Sequence, residues 1–199
     1  MMRSVFGACA LAMLACVQAA AQEAKPSTPQ DTKPSQTAAE APVTVTIADT
    51  AAPQEWEVSV PVAVKLTDGT QVGRLSMKLV YPAKVLRYAS VKSTDTLKGA
   101  GFDVTAGTPV ITGDTGALPL EFKPTAAAAA KGIPAARIAI VTFKVVKDAE
   151  EKSWPMTTKD VQAWAFGDTS PVKAASGPAA KFVVSPAGLP IFGCFFYMH

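Results

Sequence analysis

From Val58 to Leu66 every second residue is a valine or a leucine: Val58, Val60, Val62, Val64 and Leu66. A repeat of two places all five on one face of a pleated strand, whereas a helix would need its apolar residues at helical spacing. Asp68-Gly69 supplies turn chemistry, and Leu75, Met77, Leu79 and Tyr81 resume the alternation until Pro82, with Leu86 and Tyr88 beyond. Pro61 brings no N–H to a ladder, so it predicts an edge strand or a kink where the chain changes sheets.

The same pattern recurs in shorter pieces. Strands are expected over 43–47, 58–66, 74–81, 86–91, 102–104, 108–112, 118–122, 137–146, 156–166 and 180–184, with Gly113-Asp114-Thr115-Gly116 and the charged stretch 148–153 as turns. About nine short strands with turns at regular intervals are the pattern of an all-β single sandwich. The five alanines 126–130 are good helix formers, but Gly132 and Pro134 follow at once, so a turn or two is the most expected there. A further helical turn is expected at 94–98.

Before this domain the composition changes twice. Arg3 precedes an apolar run, and Ala19-Ala20-Ala21 is the small-residue pattern cut by a signal peptidase, so 1–21 is expected to be an export leader. Met13-Leu14-Ala15-Cys16 resembles a bacterial lipobox and offers a competing cut that would leave Cys16 acylated and the chain held to a membrane. Residues 22–42, rich in Pro, Thr, Ser, Gln and Ala, cannot bury enough to order themselves and are expected to be a linker. The domain is expected over 43–185. The tail 186–199 is strongly apolar yet too short to span a bilayer. It is an interfacial anchor, a strand offered to a partner, or an extension that packs back on the sandwich or has no role.

The chain is poor in reactive side chains. Its one histidine is His199, and of its three cysteines Cys9 and Cys16 belong to the leader, which leaves Cys194. A catalytic triad, a zinc site and a disulfide framework are all short of residues. Asp95, Asp103, Asp114 and Glu121 fall in or beside expected loops, with no spacing that pairs two across a cleft as glycoside hydrolysis requires. A loop with one carboxylate does not make a calcium site. The expectation is therefore no enzyme, no metal and no cofactor. A formal charge of +3 without a basic stripe argues against nucleic acid.

Val60-Pro61-Val62, a glycine a few residues after a turn, and the alternating strand ending Leu79-Val80-Tyr81-Pro82 before Leu86 resemble the opening of the cohesin family, whose modules pair with dockerins in cellulosomes. The stretch 139–145, following the glycine-containing loop 131–134, is similar to a late strand of that family. The family commonly has an acidic residue between the positions held here by the adjacent Tyr81 and Pro82. The resemblance covers 43–185 and implies a jelly-roll-like sandwich. It also implies an exported or envelope-attached noncatalytic module that binds a protein, dockerin-like or other, through a sheet face spanning 74–81 and 88–91. Met77, Leu79, Tyr81 and Tyr88 are the contact candidates on that face. Two alternatives stay open. One is a polysaccharide-binding module with Trp154, next to Pro155, as the most exposed ring among Trp56, Trp154 and Trp164. The other is a structural subunit of an envelope assembly that uses the edge at Pro61 or the tail for strand addition.

Overall fold

A computed structural model describes residues 41–125, 131–167 and 170–186. The elements in chain order are β1 (Val43–Ile47), β2 (Thr50–Pro53), β3 (Glu57–Leu66), β4 (Val72–Pro82), β5 (Leu86–Ser93), α1 (Asp95–Gly99), β6 (Phe102–Ala106) and β7 (Val110–Thr112). They continue with β8 (Thr115–Pro124), β9 (Arg137–Val145), β10 (Ser153–Ala165), β11 (Pro171–Val172), β12 (Ala174–Ser176) and β13 (Ala180–Ser185). One sheet has the order β12-β1-β3-β9-β5; the other has the order β2-β13-β10-β4-β8-β6, with β7 beside β8 and β11 beside β10. The two form the all-β sandwich that the alternation predicts.

The core lies between the sheets. β3 contributes Val58, Val60, Val62 and Val64, β9 contributes Val141, Phe143 and Val145, and the opposite sheet answers with Leu75, Met77, Leu79, Leu118, Leu120, Phe122 and Phe182. Tyr81 joins the two, its ring centroid 4.8 Å from that of Phe143. Burial of a side chain of this size contributes about 1.5–3 kcal/mol. Gly116 is the cross-strand partner of Tyr81, and a Cβ there would run into the phenol ring. The glycine read as a turn residue is therefore a strand residue that makes room for the ring, and the turn itself is Gly113-Asp114.

Among the described residues there are more strands than the ten ranges expected. β2, β11 and β12 have the sequences TAAP, PV and AAS, and alanine and proline carry no strand signal of their own. They form because a neighbour is in place: β12 runs parallel to β1, and β2 parallel to β13. Pro61 also requires a correction, because β3 is an interior strand with β1 on one side and β9 on the other. The β1 ladder stops at Ile47↔Val62. One further bond, from the Ala48 N–H to the Pro61 carbonyl (3.3 Å), shows that Pro61 turns its backbone polar side toward β1. Its missing N–H thus falls where β1 has ended, and the β9 side keeps its register at Pro61↔Ile140.

The helical turn expected near 94–98 is α1, capped by Thr94, whose hydroxyl accepts from the Leu97 N–H. Most of the expected leader and linker with Cys9 and Cys16, the alanines 126–130, and the tail from 187 with Cys194 lie outside the described residues. Among the described residues no helix is long and apolar enough to cross a membrane.

Candidate functional site

β4 runs between β10 and β8. Its alternation sends Leu75, Met77, Leu79 and Tyr81 into the core and leaves Arg74, Ser76, Lys78 and Val80 as its outer row. The expectation that Met77, Leu79 and Tyr81 contact a partner is thereby corrected: they are the apolar half of the pattern, and the core claims them. Burial pushes the Tyr81 hydroxyl above its ordinary pKa, with Arg87 opposing. Tyr88 is half-buried, edge-on to Phe143 with centroids 6.3 Å apart, and burial raises its pKa as well. It lies on β5, in the sheet opposite β4. The stretches 74–81 and 88–91 therefore do not share one face.

β10 begins in step with the core and then changes. Trp154, Met156 and Thr158 are buried, and on that parity Trp164 would be buried too. The register against β4 slips between Lys159↔Lys78 and Gln162↔Ser76, so Asp160 and Val161 together stand opposite Met77. This is a β-bulge, and Asp160 within it has φ of 52°. Beyond the bulge the parity is reversed: Ala163 is buried and Trp164 faces outward. A second irregularity follows at Trp164↔Arg74 and Ala165↔Val72, where Gly73 lets the end of β10 approach; a Cβ at Gly73 would lie 2.9 Å from the Ala165 carbonyl oxygen.

The outer face of β10-β4-β8-β6 holds an open groove of about 750 Å³ whose lining includes Arg74, Lys78, Thr105, Pro119, Glu121 and Trp164. Arg74 donates from Nε to Glu121 Oε1 at 3.0 Å and also from Nη2. Its guanidinium carbon sits 4.8 Å from the centroid of the Trp164 ring, a cation–π distance. Lys123 Nζ reaches Glu121 Oε2 at 2.8 Å, and Lys78 Nζ reaches Asp160 Oδ2 at 2.7 Å. The Lys123 ammonium that donates to Glu121, and Arg74 after it, hold that carboxyl below the usual range against partial burial that pushes it up. Lys78 holds Asp160 down in the same way. Exposed pairs of this kind contribute little to stability, so they fix side chains on the face more than they hold the fold.

Trp154, expected to be the exposed ring, is 9% exposed. It pairs with Phe182 of β13, and its Nε1 donates to the Glu150 carbonyl at 3.3 Å. The ammonium groups of Lys152 and Lys84 lie 4.3 and 5.0 Å from its ring centroid, so it offers no flat open surface on which a sugar could stack. The exposed ring in this part of sequence space is Trp56, at 66%.

Five acidic groups are held by neighbours. Ser93 donates to Asp103, which also accepts the Val104 N–H, and both bonds keep it below its ordinary pKa. Lys84 pairs with Asp114 at 2.9 Å, and Lys152 holds Glu150 down. Among the described residues no group of three His, Cys, Asp or Glu could hold a metal ion.

A family model for the cohesin domain matches residues 43–178. Among solved structures, the seventh ScaB type I cohesin of Pseudobacteroides cellulosolvens superposes with a TM-score of 0.58 at 19% identity, covering 75% of this chain and 95% of that one. The sixth cohesin of Acetivibrio cellulolyticus scaffoldin B, solved in complex with a Cel5 dockerin, gives 0.57 at 14% identity over 72% and 99%. A non-cellulosomal cohesin from the archaeon Archaeoglobus fulgidus gives 0.52 at 22% identity over 73% and 92%. No curated protein matches the sequence.

Proposed function

We propose, from the premise that this chain belongs to the cohesin domain family, that it is an exported, noncatalytic module that binds a protein partner through the outer face of β10-β4-β8-β6. The observation that carries this reading is the outward Trp164 stacked with Arg74 at the groove. Tryptophan and arginine are the side chains that most often anchor a protein interface, and here a bulge spends a regular strand position to put one beside the other. The likeness to a cohesin solved with a dockerin supports a dockerin-like partner. The apolar leader pattern over 1–21 supports export to the cell surface, the periplasm or the medium. The polysaccharide alternative rested on an exposed Trp154, and that ring is buried.

The test is a pull-down with the purified module against the secreted and envelope proteins of the producing organism, run beside insoluble polysaccharides. One saturable protein partner, lost with Trp164→Ala or Arg74→Glu and kept with Lys65→Glu on the other sheet, is the expected result. Retention on polysaccharide alone, or binding indifferent to both groove variants, would sink the reading.

A further inference from the structure

We propose that the outer face of the β12-β1-β3-β9-β5 sheet is a cationic platform that settles on an anionic lipid bilayer. The charged residues of these strands are Lys65 on β3, Arg87 and Lys92 on β5, Arg137 and Lys144 on β9, and a single carboxylate, Glu57 on β3. All of them are exposed. The ladder puts them on one side: Glu57, Lys144 and Arg87 form a cross-strand row, Lys92 stands beside Ile140, and Arg137 beside Ala63. Lys65 belongs to the same outward row of β3, whose alternate residues Val58 to Val64 face the core. Among the described residues none of these cations is in an ion pair, whereas on the opposite sheet Arg74, Lys78 and Lys123 are each held by a carboxylate. Elsewhere among the described residues carboxylates and cations are equal in number, so the net positive charge of the described domain resides on this face.

The face is flat as well as charged. Between the cations lie short side chains, with Thr46 opposite Ala63, Ser59 opposite Thr142 and Pro61 opposite Ile140. From Arg137 to Lys144 the strand covers roughly 20 Å, and β3 and β5 on either side of β9 spread the charges over roughly 10 Å more. Cations set this far apart around a plane do not converge on one ion. They match many negative groups presented by another plane, which is how the headgroups of an anionic bilayer attract lysine and arginine. Long side chains reach those headgroups while their stems lie along the sheet. At the end of the same sheet Trp56 is 66% exposed. Its backbone is tied to β9, because the Val145 N–H donates to the Trp56 carbonyl at 2.9 Å and the Glu55 N–H to the Val145 carbonyl at 3.1 Å. An indole on a fixed backbone suits the headgroup level, where tryptophan is enriched, and the carboxylates Glu55 and Glu57 beside it are balanced by Arg87 and Lys144. This face points away from the groove on the other sheet, so a bilayer and a protein partner would not compete for one surface, and the proposal does not depend on that partner.

The test is flotation of the full chain with vesicles made of phosphatidylglycerol and phosphatidylcholine in equal parts, beside vesicles of phosphatidylcholine alone. Binding to the anionic vesicles is expected to be at least about tenfold stronger than to the neutral ones and to disappear in about 0.5 M salt, where surface charges are screened. Lys92→Glu with Arg137→Glu should weaken it at least about tenfold. Lys159→Glu with Lys181→Glu makes the same change of net charge at exposed positions of the opposite sheet, and should leave binding within about twofold. Equal binding to both kinds of vesicle overturns the proposal in favour of an apolar attachment, and equal loss in the two double variants overturns it in favour of attraction by net charge alone. No binding to the anionic vesicles overturns it outright; retention of the same chain on alginate would then assign the face to an acidic polysaccharide. Matched thermal midpoints separate a lost contact from unfolding, and where they differ Lys92→Gln with Arg137→Gln takes the place of the charge reversal.

Discussion

The two halves of β10 each carry a tryptophan and use it in opposite ways. Before the bulge, Trp154 is packed against β13 under two lysine ammoniums; after it, Trp164 stands outside with Arg74 over its ring. Both residues lie on even positions of one strand, so hydrophobicity and parity treat them alike. The extra residue at Asp160–Val161 separates them. A one-residue change of register reverses every side chain beyond it, and in this molecule that reversal is what leaves a tryptophan on the outer face of the sheet.

Removing the bulge breaks the comparison most severely. Deleting Val161 would leave Asp160 alone opposite Met77, on the core side, with Ala163 still inward and Trp164 still outward, and the expected loss, from a carboxylate turned into the core, is more than about 3 kcal/mol in denaturant unfolding. A deletion variant as stable as wild type, or one in which the Trp164 fluorescence shifts to that of a buried indole, would contradict this register. Next in size, Trp154→Ala should cost about 3 kcal/mol, as expected for a large ring removed from a core, while Trp164→Ala should cost less than about 1 kcal/mol and act on partner binding instead. Equal costs in the two halves would contradict the assignment. Smaller still is the effect of the backbone at Asp160, whose positive φ disfavours most side chains. Asp160→Ala should lower the thermal midpoint, and Asp160→Gly should leave it near wild type, because glycine adopts this conformation freely.

The smallest effect belongs to the ion pairs of the outer face. Glu121 has its pKa lowered from 4.5 in the folded protein, so its contribution is present above that value and is lost as pH falls through the lowered one. The midpoint difference between wild type and Glu121→Gln should be modest at neutral pH and shrink below the usual carboxylate range. A difference that grows on acidification would have the wrong sign for this network.

The same contrast explains which parts of the molecule the sequence discloses. β3, β4 and β9 are legible because their buried positions alternate over most of their length, from Val58 to Val64, Leu75 to Tyr81 and Ala139 to Val145, so fold class and strand positions follow from periodicity. Trp164 is misjudged because periodicity cannot be carried past a bulge, and Trp154 because a ring next to Pro155 reads as a loop residue although it lies within β10. The one hint is the doublet Lys159-Asp160, two adjacent polar residues in the middle of a strand. Glu121 is visible as an acidic residue but not as the partner of Arg74, because that pair depends on the register of β4 against β8, which local sequence does not specify. β2 and β12 are hidden for a related reason: their residues have no preference for extended structure until a parallel neighbour offers one.

Those parallel pairings carry a mechanical consequence. Near its beginning the domain lays β1 beside β12, and near its end it lays β13 beside β2, one pairing in each sheet. A pull applied at the two ends of the domain would run along these strands and load their hydrogen bonds in shear, so the bonds of each pair would have to give way together instead of unzipping one at a time. Under such a pull the arrangement would set the rupture force at the entry and exit of the domain and would leave the outer face of β10 and β4 undisturbed until the end pairings fail.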